Sequence, residues 1–256
     1  MNKIKLIKSR HILDSRGFPT LEVDVILDNN VYGRASVPSG ASTGVHEAVE
    51  KRDGDLNFYL GKGINSAIHC VNIEINNALI GFNPLNQKLI DDTLIKLDGT
   101  KNKSRLGANA ILGVSLAVSR AAANDSNLSL WRYLGKEDSN ILPTPMMNII
   151  NGGAHANNSL DFQEVMIMPI GASSFSEAIQ WGSEIFQNLK IILSERGLST
   201  SVGDEGGFAP EIKDLDTAIN FISKAVKKSG RVFGDEILIA LDAAASEFHS
   251  KNVYNL

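Results

Sequence analysis

The stretch Ser201-Val-Gly-Asp-Glu-Gly-Gly-Phe-Ala-Pro210 sets two acids, Asp204 and Glu205, between Gly203 and the pair Gly206–Gly207. Glycines accept positive φ and let a backbone approach a ligand closely. A carboxylate on such a turn is a candidate proton donor, although Asp and Gly are also ordinary residues of a solvated turn. Its company favours chemistry. His155, Gln163–Glu164, Asp242 and Glu247 also fall at strand ends or glycine turns of the same half of the chain. They are mostly hard oxygen ligands with no cysteine among them, which suits Mg²⁺ rather than zinc. A further candidate is the small-residue run Pro38-Ser-Gly-Ala-Ser-Thr-Gly44. Its composition reads as a loop joining a strand to a helix, capped by Ser42 or Thr43 ahead of Glu47. The functional alternative is a mobile lid whose hydroxyl and backbone oxygens reach a cation or a phosphate.

Two kinds of element must position these residues. Over residues 4–37, Leu21, Val23, Val25 and Leu27 recur at a period of two, and Asp28-Asn-Asn30 offers turn chemistry, which predicts a β-meander with one wet face. From 61 to 135 the pattern is helical: Ile64, Ile68 and Val71 share a face, as do Leu89, Ile90, Leu94 and Leu97. The run 107–123 is rich in Gly, Ala and Ser, a composition that lets helices pack closely. Strands followed by helices make an α+β domain. The two prolines of Ser139-Asn-Ile-Leu-Pro-Thr-Pro145 mark a boundary, so the expected domains are 1–138 and 139–256. Beyond it, apolar strands at 146–150, 162–168 and 237–242 alternate with amphipathic helices at 174–196 and 214–229. Continuous apolar strands between helices predict a parallel sheet covered on both faces. Asp242 then closes its strand at the C-terminal end, where barrel enzymes place their chemistry.

Bulk properties exclude several classes. A net charge of −4 with no basic block argues against nucleic acid as a partner. The lone Cys70 leaves no internal disulfide framework and reads as a small core residue in a reducing compartment. The N-terminus lacks the apolar centre of a signal peptide. Leu106–Ala123 is the most apolar stretch but is interrupted by Asn109, Ser115, Ser119 and Arg120, so a buried helix is expected there and no membrane span. The expected setting is the cytoplasm.

Seven motifs carry a resemblance. Asp14-Ser-Arg-Gly17, Ser36-Val-Pro-Ser-Gly-Ala-Ser-Thr-Gly44, Asn109-Ala-Ile-Leu-Gly-Val-Ser115, Asn151-Gly-Gly-Ala-His155, Gln163-Glu164, Gly203-Asp-Glu-Gly-Gly207 and Leu241-Asp-Ala-Ala-Ala-Ser-Glu-Phe248 stand in the order found in enolases. The chain resembles that family along its whole length. The resemblance implies an α/β fold, with an N-terminal α+β cap domain followed by the first part of an enolase-type α/β (TIM-like) barrel. It implies a lyase of glycolysis that reversibly dehydrates 2-phosphoglycerate to phosphoenolpyruvate with two Mg²⁺ ions per active site. On this basis Glu205 is the general acid, with Glu164 beside it near the leaving hydroxyl. His155, Gln163 and Glu164 contact substrate, Asp242 binds the first magnesium, and Ser42 helps hold the second. A homodimer is implied, with Asp14–Arg16 a structural or dimer-contact element, as is a secondary presence at the cell surface or outside the cell.

The same resemblance sets an expectation of incompleteness. Only three barrel strands are legible in residues 142–256, whereas a complete barrel takes ~250 residues. The family's lysine base, two further acidic metal ligands and a phosphate-binding arginine belong beyond them. The chain is therefore expected to be a portion of a longer enolase and inactive alone. A non-catalytic interaction protein derived from enolase is the competing reading. Another acid-sugar dehydratase or racemase of the wider superfamily fits less well with the Ser36–Gly44 and Gly203–Gly207 motifs.

Overall fold

The computed structural model describes residues 2–40, 43–135, 139–203 and 206–255. The chain divides into two compact units, the first built up to Gly40 and from His46 to Asn140, the second from Ile141 onward.

In the first unit, β1 (Ile4–Leu13), β2 (Pro19–Leu27) and β3 (Tyr32–Ser36) form an antiparallel meander in the order β1-β2-β3. Leu21, Val23, Val25 and Leu27 are fully buried, so the period-two pattern marks the core face. The opposite face carries a charged ladder. Asp24 takes Arg34 Nε at 2.6 Å and Arg10 Nη1 at 2.7 Å, and Glu22 takes Arg10 Nε at 3.0 Å. No helix follows the Pro38–Gly44 run. The chain passes through turns and irregular backbone to a 3₁₀ turn at Tyr59–Gly61 before the first α-helix, so the expected cap ahead of Glu47 has no helix to serve. At the start of that run, Arg16 Nη2 donates to the carbonyls of Ser39 at 3.0 Å and Gly40 at 3.3 Å, and Asp14 accepts the Arg16 and Phe18 amides at 2.9 Å.

A continuous helical run follows: α1 (Asn65–His69), a π turn over Cys70–Ile75, and α2 (Asn76–Leu79). Asn76 Oδ1 accepts the Ile7 amide at 2.8 Å and Asn72 Oδ1 accepts the Ser9 amide at 2.6 Å. Two asparagines on the helix thus satisfy the free edge of β1. Helices α3 (Gln87–Asp98), α4 (Ala108–Asp125) and α5 (Leu130–Gly135) complete the unit. In α3, Ile90 and Leu94 are buried while Leu89 is exposed, so the apolar face is narrower than the sequence suggests. The small residues of α4 serve mainly to bring the helix down on the sheet. A Cβ on Gly33 of β3 would stand 2.1 Å from the Ala121 amide nitrogen and 2.3 Å from the Ala117 carbonyl oxygen.

The second unit opens with β4 (Met147–Asn151), then β5 (Glu164–Met168), α6 (Phe175–Glu195), α7 (Leu215–Lys228) and β6 (Leu238–Asp242). A two-stranded hairpin, β7 (His249–Ser250) with β8 (Val253–Tyr254), follows. Ser174 and Asp214 cap the helices by accepting the Glu177 and Thr217 amides. On α6, Ala178, Trp181, Gly182, Ile185, Leu189 and Leu193 are buried at helical spacing, whereas Phe175 and Ile179 are exposed. The expected parallel sheet is corrected here: β4-β5-β6 is antiparallel throughout. Two causes account for it. The β4–β5 connection carries only a single 3₁₀ turn, Gly153–His155, too little for a parallel crossover. The β5–β6 connection carries two helices rather than one, so the chain starts β6 from the end it would otherwise have left. No helix among the described residues is long and apolar enough to cross a membrane.

Two outcomes are expected of the first unit. Gly33→Ala should destabilise it by about 1–3 kcal/mol or more through overpacking against α4 backbone, read as a lower urea midpoint of Trp131 emission in a Trp181→Phe background. Asp98 is 2% exposed. Burial raises its pKa, but hydrogen bonds from Thr100 Oγ1 and the Leu106 and Thr100 amides, with the Arg105 charge, lower it further and leave it below the ordinary value. A depressed folded pKa stabilises fully above the unfolded value, about 3.9, and that stability is lost as pH falls through the folded pKa. Asp98→Asn should flatten this acid limb in a stability-against-pH series.

Candidate active site

Antiparallel pairing turns one rim of the sheet into a row of polar residues. Asn151 at the end of β4 stands in register with Glu164 at the start of β5, and Glu164 with Asp242 at the end of β6. Gln163, the residue before β5, is 4% exposed and donates Nε2 to Asp242 Oδ2 at 3.0 Å. The other Asp242 oxygen accepts the Ala244 amide at 3.0 Å. His155, on the 3₁₀ turn after β4, brings Nδ1 to 3.3 Å from Glu164 Oε1, both side chains being largely buried. Four of the six residues singled out from the sequence, His155, Gln163, Glu164 and Asp242, therefore meet at one end of one sheet. Glu205 and Ser42 lie outside the described residues, as does Asp204. Glu247 stands apart in the turn after β6, its amide bonded to the Ala244 carbonyl at 2.9 Å.

The flanks of the acid pair are fixed to this rim. Gly207 and Phe208 run along the outer edge of β4: the Phe208 amide donates to Ile149 at 2.9 Å, and the Asn151 amide donates to Phe208 at 2.8 Å. Gly203 donates to Gly207 at 3.0 Å, and Gly206 donates to Gly203 at 3.2 Å, which closes the turn. Asn151 is fully buried, and its Nδ2 donates to the carbonyls of Gly206 at 2.6 Å and Gly207 at 3.0 Å. The motif Asn151-Gly-Gly-Ala-His155 draws attention to its histidine, yet its asparagine has the larger structural part. An amide ending an apolar strand just before two glycines was the available sign.

Residues 4–134 match the family model for the enolase N-terminal domain, and residues 139–256 match that for the enolase C-terminal TIM barrel domain. The chain belongs to the enolase family. Its α/β fold is accordingly the N-terminal enolase domain followed by sequence of the enolase barrel domain, and its general function is enolase-type, within the hydro-lyases.

The rim supports that chemistry in its charge. Two carboxylates directly opposite on neighbouring strands repel, and a cation between or beside them offsets the cost. Among the described residues no three His, Cys, Asp or Glu side chains form a closed metal cluster. The donors present are oxygens of Asp242 and Glu164, with Gln163 Oε1 buried and without a hydrogen-bond partner among the described residues. That donor set fits a hard divalent ion held in part by groups other than this rim.

Gly207 has φ +72°, and a Cβ there would lie 3.0 Å from the Ile149 carbonyl carbon. Gly207→Ala should therefore cost the second unit about 1–3 kcal/mol, seen as an earlier unfolding transition in Trp181 emission with the Trp131 transition unchanged.

Proposed function

We propose that this enolase-family chain serves the reversible dehydration of 2-phosphoglycerate to phosphoenolpyruvate. The observation that supports it best is the Asn151–Glu164–Asp242 row, with Gln163 and His155 joining it. The hard step is removal of a weakly acidic proton next to a carboxylate, which leaves a doubly charged, enolate-like species. Hydroxide then leaves only if it is protonated. Glu205 is the proposed proton donor to that hydroxyl, and Glu164 stands with it. His155 and Gln163 bind and orient the substrate, with Gln163 also holding Asp242 in place through its amide. Asp242, with Ser42, would hold Mg²⁺. Bound there, magnesium supplies electrostatic stabilisation of the enolate charge. A cytoplasmic homodimer is the proposed form.

The strands β4, β5 and β6 contain no lysine to take the proton. The base is accordingly expected from residues outside these three strands. Supplied with the base-bearing part of an enolase barrel, in cis or as a separate polypeptide, the chain should give Mg²⁺-dependent product. Glu205→Gln should then lower the rate on the order of 10²–10⁴-fold. No product from the complemented protein would defeat this reading and favour a non-catalytic interaction protein.

A further inference from the structure

Strand β4 has a bulge, its register with β5 shifting between Asn148 and Ile150. In a regular strand residues three apart face opposite sides of the sheet; a bulge re-aims side chains. Here Asn148 and Asn151 meet, Asn148 Nδ2 donating to Asn151 Oδ1 at 2.5 Å. That bond engages the one acceptor of the Asn151 amide and turns both its N–H donors toward the Gly206 and Gly207 carbonyls, at 2.6 and 3.0 Å. The fit leaves no slack on the other side of the turn, where a Cβ on Gly203 would stand 2.7 Å from Asn151 Nδ2. Asn158 closes the arrangement from outside, its Nδ2 donating to the Asn151 carbonyl at 2.9 Å and to the Pro210 carbonyl at 2.8 Å.

From this geometry we infer that Asn151 is a positioning residue for the reaction. Oriented by Asn148, it clamps the Gly206 and Gly207 carbonyls against the end of β4, and so fixes the backbone that follows the acid pair on the rim that holds Glu164. The functional side of this inference rests on the dehydratase reading above; the clamp itself does not. A carboxylate at 151 could not do this work, because it has no N–H for the two carbonyls.

The test begins with hydrogen exchange on the 256-residue chain, comparing wild type with Asn151→Asp and with the milder Asn148→Ala, which leaves Asn151 in place. The expected result is at least a tenfold loss of protection at the Gly203, Gly206 and Phe208 amides, with the amides of Val165 and Ile167 in β5 unchanged. Asn148→Ala should show a smaller loss at the same amides. Equal loss throughout the second unit in both variants would make Asn151 a structural residue only, and no loss at residues 203–208 would remove the clamp altogether. In the complemented protein that turns over 2-phosphoglycerate, Asn151→Asp should lower kcat by tenfold to roughly a hundredfold, as a displaced group does, with KM within about twofold. An unchanged kcat there overturns the positioning role. Absence of turnover in the complemented wild type instead defeats the dehydratase reading and leaves the exchange result to judge the clamp.

Discussion

The direction of β5 is the constraint on which the site depends. Glu164 opens its strand, whereas Asn151 and Asp242 close theirs. Were β5 parallel to its neighbours, four residue steps at ~3.3 Å would carry Glu164 about 13 Å along the sheet, to the opposite rim. The antiparallel order instead makes the three residues neighbours in register. That order follows from the connections: a short one before β5 and a paired-helix one after it. The buried stripe of α6 and the caps at Ser174 and Asp214 are thus part of the site's construction, since a single-helix return would have separated the carboxylates.

Gathering polar groups at a sheet rim has an energetic cost, and the chain meets it with amides. A typical hydrogen bond contributes only ~0.5–1.5 kcal/mol net, but a buried group left without one costs ~1–3 kcal/mol. Gln163 and the Ala244 amide serve Asp242, while Asn151 serves the Gly206 and Gly207 carbonyls, sharing the second with the Gly203 amide. The first unit solves a related problem in the same way. The outer edge of β1 would offer unpaired amides, and Asn72 and Asn76 cover those of Ser9 and Ile7. In both units a side-chain amide on a neighbouring element binds backbone groups beside the sheet.

Much of this was legible in the sequence because it depends on local pattern. The strands and helices of both units follow from periodicity, and Asp242 was found at a strand end because an apolar run stops at a carboxylate. The strand directions were not legible. Apolar runs separated by helices look alike whether one helix or two intervene, although the number of helices decides the end from which the next strand starts. On α6 Trp181 is buried while Phe175 and Ile179 are exposed, because the 21-residue helix buries only part of its apolar surface. The part played by Asn151 also escaped, since its orientation depends on a bulge that no side-chain pattern announces. Small residues in α4 suggested helix–helix contact, but their use became clear only with Gly33 facing them across the sheet.

The choice of residue at the end of β4 shows how the two tasks of the rim are divided. The row needs charge for chemistry and rigidity to place it, and one side chain cannot supply both at position 151. A third carboxylate there would add to the repulsion between Glu164 and Asp242 and would face two carbonyl oxygens without a proton to offer. The neutral amide adds no charge and supplies two donors of fixed geometry. Its surroundings are equally specific: glycines at 203 and 207 keep Cβ atoms away from it, and Asn148 decides which way the amide faces. Charge is left to Glu164 and Asp242, while the backbone beside them is held by a group that does not titrate.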